Sequence, residues 1–235
     1  MDYAAEFDWP GYFNAVAGKE ARETLVKALS LFDADDARDA KFPAKTRTVR
    51  RSTRTAIDIG CGEGRDTRAM LRHKGAKPWS LLVSDGSAEG IDLLLGSLRP
   101  AEHARVCAVQ CMMERLPEIY PTTVPIGLRE APTPQVDLIN ASFSLPFCSP
   151  RGLRTLWAWI AAHIRPGGRF AGQLFGDRDT WAHVRKTTGI SRSTLNRMFS
   201  DFVFEELREE EKDDRTTMGE LKHWHVYHIV ARKRG

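Results

Sequence analysis

Three glycines and two acidic residues lie within one short stretch of the chain. The segment Asp58-Ile-Gly-Cys-Gly-Glu-Gly-Arg65 places Gly60, Gly62 and Gly64 directly after a short apolar run. Glycine tolerates a positive φ and carries no Cβ, so a ligand can approach the backbone closely at such positions. In open α/β sheets, ligands bind just beyond the carboxyl ends of the strands. The segment therefore predicts a ligand-binding turn between a strand and a helix.

The charge of Asp58 separates two classes of cofactor. Dinucleotide-binding turns read G-x-G-x-x-G and hold a pyrophosphate at a helix N-terminus. Here the spacing is G-x-G-x-G, and the carboxylate of Asp58 would repel a pyrophosphate. The same carboxylate would form a charge-assisted hydrogen bond with the ammonium group of S-adenosylmethionine (SAM). The residues thus favour SAM, and an NAD(P)-dependent oxidoreductase is the less favoured alternative.

A second carboxylate fits the nucleoside part of such a ligand. Asp85 follows the apolar run Ser80-Leu-Leu-Val-Ser84, 25 residues after Gly60. A carboxylate at the end of the second strand can accept hydrogen bonds from both ribose hydroxyls. Alternatively, Asp85 caps the helix that follows, together with Ser87.

The chain resembles class I SAM-dependent methyltransferases between about Ala56 and Phe175. The resemblance rests on the successive segments DIGCGEGRDT, LVSDGSAEGIDLL, QCMMERLP, VDLINASFSLPFC and IRPGGRFAGQLFGDRDTW. The sequence is most similar to the small bacterial tellurite-resistance and thiopurine-like methyltransferase-domain group. The resemblance implies transfer of the methyl group of SAM, with S-adenosylhomocysteine (SAH) as the product.

The resemblance also implies which residues bind the cofactor. The methionine part of SAM would contact the first motif, the ribose would contact the acid after the second strand, and the adenine would lie near the residue after that acid. The matching positions are Asp58, Gly60, Gly62, Asp85 and Gly86.

At the adenine end the chain departs from the family pattern. Met112 stands where many members carry an aspartate for the adenine amino group. The adenine would then be held by the backbone of Met113 and by apolar contact, with Glu114 as a substitute for the missing acid. Both methionines could equally be core residues, since methionine packs readily into irregular apolar space.

Candidate catalytic residues follow the fourth and fifth predicted strands. Methyl transfer is an in-line displacement that positioning alone accelerates, so a base is needed only if the acceptor loses a proton. The resemblance places Asn140 close to the transferred methyl group and SAM, and the ring of Phe143 could face the methyl cation. Asp177 and Asp179 are candidate bases, and either could instead cap the next helix.

The N-terminal region is predicted to cover the site. Apolar residues recur at roughly helical spacing, which predicts a helix over Tyr12–Phe32. The polar residues 33–53 predict an irregular connector. Within a single domain of residues 1–235, residues 1–53 would thus form a helical lid and connector. Tyr12 is a candidate for apolar cover and Arg22 for binding the SAM carboxylate, and either could instead be an ordinary surface residue.

Short apolar runs alternate with helical patterns through the rest of the chain. Strands are predicted at 55–59, 80–84, 104–110, 135–139 and 169–175, and helices at 65–73, 88–98 and 151–164. Runs at 202–204 and 225–231 are joined by the charged segment 205–215, predicted as a solvated connection, so they should pair antiparallel. The expected fold class is α/β: a Rossmann-like, mostly parallel sheet of seven strands, with helices on both faces and one antiparallel C-terminal strand.

Composition bears on location and metal binding. No run approaches the ~18–20 apolar residues of a membrane span, and the acidic segment at residues 1–12 does not resemble a secretory signal. The four cysteines show neither CxxC pairs nor zinc spacing, which predicts reduced thiols, a cytoplasmic protein and no metal site. His223, His225 and His228 would not bind a metal together, because on a strand the third lies on the opposite face.

The acceptor is predicted to be a small molecule methylated on an O, N or S atom. The Asp/Asn-Pro-Pro-aromatic motif of enzymes that methylate nucleic-acid amino groups is absent, since the matching segment reads Asn140-Ala-Ser-Phe143. A formal net charge of +4 does not by itself indicate a nucleic-acid partner. A SAM- or SAH-binding regulatory module without catalysis is the alternative from another class. The sequence leaves the oligomeric state open.

Overall fold

The computed structural model describes residues 7–42, 52–120, 123–126, 129–132, 135–184 and 187–235. Its strands are β1 Arg54–Ile59, β2 Trp79–Asp85, β3 Val106–Gln110, β4 Thr123–Ile126, β5 Arg129–Pro132, β6 Val136–Ala141, β7 Ile164–Gly176, β8 Gly189–Ile190, β9 Phe202–Arg215 and β10 Leu221–Lys233. The main sheet has the order β3-β2-β1-β6-β7-β10-β9, with the short β8 paired to β7. Strands β4 and β5 form a separate pair.

Helices cover both faces of the main sheet. They are α1 Trp9–Val16, α2 Glu23–Lys41, α3 Arg65–Arg72, α4 Ala88–Ser97, α5 Pro100–His103, α6 Leu116–Ile119, α7 Pro150–His163, α8 Thr180–Val184 and α9 Arg192–Met198. Apolar residues of α2, α3 and α4 form one core cluster, and those of α7 and α9 form the other. Successive strand residues point to opposite faces, so Ala56 joins the first cluster and Ile57 the second.

The predicted sheet is confirmed. The β1, β2, β3, β6 and β7 strands pair in parallel. Strand β10 is antiparallel to both β7 and β9, so it is the one reversed strand of the seven on the main path. The carboxyl ends of the parallel strands therefore meet at one edge, where the glycine-rich turn lies.

The single helix predicted over Tyr12–Phe32 is wrong. Helix α1 ends at Val16, and Gly18 adopts a φ of 74° just beyond it, which is a common way for a helix to end. Helix α2 then starts at Glu23 and runs to Lys41, nine residues into the predicted connector. Its polar end is helical because Asp35 and Asp36 form ion pairs with arginines of the sheet. Residues 43–51 of the predicted connector lie outside the described residues.

The charged run 205–215 is a strand and not the predicted solvated connection. It belongs to β9, which pairs with β10 along its whole length as an edge strand. Its backbone groups are satisfied by β10, and its charges compensate one another, as in the contacts of Lys212 with Glu210 and Asp214. Charged side chains are common on edge strands because they discourage pairing with another chain.

Candidate active site

A cavity of about 1000 Å³ opens at the carboxyl ends of the parallel strands. This is where ligands bind in open α/β sheets. The cavity is lined by all of the predicted cofactor residues except Asn140. These residues are Arg22, Asp58, Gly60, Gly62, Asp85, Gly86, Met112 and Met113.

The turn after β1 leaves little space for a side chain at Gly60 or Gly62. Gly60 and Gly62 have φ values of 70° and 53°. A Cβ on Gly60 would lie 2.4 Å from the Cβ of Ser144, and one on Gly62 would lie 3.1 Å from the ring of Phe13. The amides of Gly60 and Cys61 both donate to the carbonyl oxygen of Ser84 on β2, at 2.8 and 3.0 Å. The turn is therefore a bare backbone bend fixed to the neighbouring strand.

Asp58 is a buried carboxylate at the wall of the cavity. Its oxygens accept hydrogen bonds from Thr67 Oγ1 at 2.6 Å and Asn140 Nδ2 at 2.9 Å. Burial, and next the nearby charge of Asp66, raise the pKa of Asp58 to about 7. Both causes disfavour the charged carboxylate in the free protein, and a ligand cation beside it would favour that form.

Asn140 lies behind Asp58 and is fully buried. Its Nδ2 also donates to Asp66 Oδ2 at 3.2 Å, so one amide serves two carboxylates. It is not among the residues that line the cavity. The geometry therefore places Asn140 as a positioning group for acidic side chains and gives no support to its predicted contact with the methyl group.

Asp66 was missed in the sequence analysis and lines the cavity. It accepts hydrogen bonds from the amide of Arg22 at 3.0 Å and from Ser142 Oγ at 2.6 Å. It thereby joins the start of α2 and the loop after β6 to the first turn of α3. The available signal was an acidic residue in the first turn of a helix that directly follows a ligand-binding bend.

Asp85 holds the bend from the second strand. Its Oδ2 accepts from the amide of Gly62 and its Oδ1 from the amide of Ser87, each at 2.8 Å. Burial raises the pKa of Asp85, although both hydrogen bonds oppose that shift. The cap of α4 is Ser87, whose Oγ accepts from Gly90. Asp85 also lines the cavity, so the predicted ribose-binding residue is present at its wall.

The part of the cavity where the sequence predicts the adenine is apolar. Met112 and Met113 line the cavity with Cys111, and a Cβ on Gly86 would lie 2.7 Å from the sulfur of Met112. Glu114 does not line the cavity. Its carboxylate accepts from the amide of Ser149 at the start of α7. Glu114 therefore has a partner outside the cavity, which disfavours it as a substitute for the missing acid.

Arg22 and Phe143 meet inside the cavity. The guanidinium carbon of Arg22 lies 4.5 Å from the ring centroid of Phe143, and its Nη2 is 3.4 Å from the hydroxyl of Tyr12. The Nε of Arg22 is buried and makes no hydrogen bond to any described residue. Phe143 has a φ of 55°, a conformation that non-glycine residues rarely adopt, and its amide donates to Gln173 Oε1. Arg22 thus offers a buried donor to an anionic group.

Asp177 and Asp179 take different positions. Asp177 does not line the cavity, and its carboxylate lies 3.6 Å from His225 Nδ1 outside it. Asp179 is fully buried and accepts from the amide of Trp181, as its alternative role as a helix cap predicts. The geometry favours neither residue as a base acting in the cavity.

Aromatic rings close the cavity from the N-terminal side. Phe7 lies 4.7 Å from Phe147 and 5.2 Å from Trp181, and Trp9 lies 5.2 Å from Phe147, all between ring centroids. Tyr12 and Phe13 of α1 also line the cavity. We call α1 together with Phe7 the roof. It covers the glycine bend, because a Cβ on Gly62 would contact the ring of Phe13.

Metal and membrane signals are absent from the part of the chain that the structure describes. No group of three or more His, Cys, Asp or Glu side chains is arranged there to hold a metal ion. None of the described helices is both long and apolar enough to cross a membrane. The four cysteines are free thiols, and burial raises the pKa of Cys61 and Cys148.

Comparison with known proteins identifies the fold. No protein-family profile matches the sequence, and no curated protein sequence matches it. Solved structures do match, at a probability of 1.00. The N-methyltransferase NodS from Bradyrhizobium japonicum WM9, in complex with SAH, is 12% identical with a TM-score of 0.60, over 98% of this chain and 94% of that one. The chain has the class I methyltransferase fold.

Two further structures share this methyltransferase fold. TehB from Haemophilus influenzae is 14% identical with a TM-score of 0.59, over 85% of this chain and 66% of TehB. YcgJ from Bacillus subtilis is also 14% identical, with a TM-score of 0.55 over 89% of this chain and 99% of YcgJ. Sequence identities this low establish the fold and leave activity to be argued from the site.

Proposed function

We propose that the protein transfers a methyl group from SAM to a small-molecule acceptor. One observation carries the proposal: the carboxylates of Asp58 and Asp85 flank the bare bend Gly60–Gly62 at the ends of two adjacent parallel strands. This arrangement lies in the fold of SAM-dependent methyltransferases, and NodS has been solved with SAH. The bend, its acids and the fold together favour an adenosyl amino acid as the cofactor.

The side chains present fit each part of SAM. Asp58 would accept from the ammonium group, and the orphaned Nε of Arg22 would donate to the carboxylate. Asp85 would accept from the ribose hydroxyls, and Met112 and Met113 would contact the adenine. A pyrophosphate would meet the carboxylates of Asp58 and Asp85 at the same bend, which disfavours an NAD(P)-dependent oxidoreductase.

When bound, SAM supplies a methyl group activated by a positively charged sulfur. The protein's own residues hold the two reactants in line, which is the main requirement of this displacement. The roof covers the glycine bend, and Phe143 presents an aromatic face close to Arg22. Rings of this kind stabilise a nearby positive charge.

The shape of the cavity supports a small acceptor. Beyond the cofactor residues it continues along β10 and β9 under the aromatic roof, which leaves space for a second molecule. This space favours an enzyme over a SAM-binding module without catalysis. A cavity of about 1000 Å³ that is partly covered by the roof also suits a small molecule better than a nucleic acid. We further propose a cytoplasmic location on the basis of the four free thiols.

Titration calorimetry with SAH and with NADH tests the cofactor assignment. We expect SAH to bind and NADH not to bind. Asp85→Ala should weaken SAH binding by about 1–3 kcal/mol, the cost of losing hydrogen bonds to a charged group. Asp92→Ala is the matched control, because Asp92 is an exposed acid of α4 outside the cavity. Absence of SAH binding, or tighter binding of NADH, would refute the proposal.

A further inference from the structure

The part of the cavity beyond the cofactor residues contains a buried histidine. Trp224, Val226 and His228 alternate along β10 and all line the cavity, as strand residues on one face do. His228 is 6% exposed. Its ring centroid lies 6.1 Å from that of Phe143, the residue on which Arg22 packs. His228 therefore stands beside the methionine end of the proposed cofactor site.

Neither ring nitrogen of His228 makes a hydrogen bond to any described residue. Glu23 Oε1 lies 3.1 Å from Nδ1, and Glu210 Oε2 lies 3.8 Å from Nε2, without hydrogen-bonding geometry. A buried polar group without a partner destabilises a protein by about 1–3 kcal/mol, so such groups call for an explanation. A ligand in the cavity would provide the missing partner.

The charged groups around His228 come from two elements. Glu23 and Arg22 lie at the start of α2, while Arg208 and Glu210 lie on β9. Burial, followed by the charge of Arg208, lowers the pKa of His228, and the two glutamates oppose this shift. The imidazole is consequently neutral at pH 7 and able to accept a proton.

Aromatic rings form part of the cavity wall near His228, beside the charged side chains of α2 and β9. The ring of Phe143 lies 6.4 Å from that of Phe175, and Phe175 lies 6.1 Å from Trp224, each pair near edge-to-face. Aromatic side chains at these separations pack well against another planar ring. The rings of Phe143, Phe175 and Trp224 thus favour an aromatic molecule in the space next to His228.

We propose that His228 is the general base for an acceptor that carries a hydroxyl group on an aromatic ring. This inference rests on the proposed function and specifies its substrate class. A ring nitrogen of His228 takes the hydroxyl proton, and the oxygen's electron pair forms the new bond to the methyl carbon. The carbon–sulfur bond breaks with its electron pair left on sulfur, which gives neutral SAH. The imidazolium then returns its proton to solvent.

Methyl transfer to phenol and to 4-nitrophenol, measured as SAH release from SAM, tests this proposal. His228→Gln should lower kcat by roughly 10²–10⁴-fold, the usual contribution of a general base. The loss should be larger for phenol than for the more acidic 4-nitrophenol, because the latter needs less help to ionise. His223→Gln is the matched control. His223 lies on the same strand but is absent from the cavity lining and bonds to Asp213.

A second measurement does not depend on turnover. Nitrogen NMR of histidine-labelled protein, with His228 assigned by the His228→Gln variant, should show a pKa below the ordinary value of 6.5. A pKa above 6.5 would overturn the proposal. So would an equal loss of rate on both phenols, which indicates a structural role.

Failure of this proposal is distinguishable from failure of the proposed function. If SAH binds but the wild-type protein methylates neither phenol, the base and acceptor class are overturned while the cofactor assignment stands. If His228→Gln keeps the wild-type rates, the base is likewise overturned. If SAH does not bind at all, the proposed function itself is wrong.

Discussion

The ammonium of Lys222 lies 2.6 Å from the carboxylate of Asp179, and neither side chain is exposed to solvent. Asp179 follows β7, and Lys222 lies near the start of β10. The Lys222 nitrogen is also 4.0–4.3 Å from the ring centroids of Phe175, Trp181 and Trp224. The ion pair therefore fixes three aromatic walls of the cavity to one another.

Lys222→Met should lower the free energy of unfolding by about 3–5 kcal/mol. The reason is that Asp179 would become a buried carboxylate without a counter-ion. Urea denaturation followed by circular dichroism measures the change. The double variant Lys222→Met with Asp179→Asn should recover part of the loss, since it removes the unpaired charge. A single variant as stable as the wild type would show that the pair contributes nothing.

SAH binding should tighten as the pH rises through about 7. Burial and the charge of Asp66 raise the pKa of Asp58 to about 7, so below that pH the carboxyl is mostly protonated and cannot pair with an ammonium group. Affinity should fall by up to about ten-fold per pH unit below 7. Calorimetry in two buffers of different ionisation enthalpy should detect release of a proton on binding at pH 6.5.

The stability of the ligand-free protein should change with pH in the opposite direction to SAH affinity. The Asp58 carboxyl ionises near 3.8 when unfolded and near 7 when folded, so its contribution to stability decreases as the pH rises from about 4 to about 7. Asp58→Asn should flatten both the binding profile and this part of the stability profile. Unchanged profiles in the variant would contradict the assignment of the shift to Asp58.

Gly62→Ala should destabilise the fold and weaken SAH binding together. A left-handed φ of 53° costs a non-glycine residue about 1–2 kcal/mol, and the new Cβ would press on Phe13 at 3.1 Å. Thermal unfolding with and without SAH measures both effects. Gly96→Ala is the control, because a Cβ there meets no atom within 4 Å and should stabilise α4 by up to about 1 kcal/mol. Equal behaviour of the two variants would rule out a special role for the bend.

The parallel part of the sheet could be predicted because its signals are local. Short apolar runs that end in glycine or aspartate mark β1 and β2, and the bend Gly60–Gly62 follows from the absence of side chains where a ligand must approach. The strand order then follows from the fold that these motifs resemble. The same signals placed Asp58 and Asp85 at the cavity.

The predictions for α2 and β9 were wrong because contacts with distant residues, and not the local sequence pattern, determine the structure there. The acidic run of β9 looks like a solvated loop, but its backbone is paired with β10. The end of α2 looks like a connector, but Asp35 binds the buried Arg169 across a separation of more than a hundred residues. From the sequence, His228 is considered only as a metal ligand, because its position relative to Phe143 depends on β10 running beside β7. The spacing of residue types along the chain does not predict contacts between residues so far apart in sequence.

The side-chain amide of Asn140 donates hydrogen bonds to both Asp58 and Asp66, and this has a consequence for the lifetime of the protein. The two carboxylates disfavour each other's charged form, and a bound ligand cation would relieve this. The ligand-free protein should therefore be the least stable form, and resistance to proteolysis should increase with the concentration of free ligand. Under the proposed function, the abundance of this protein would follow the supply of its cofactor.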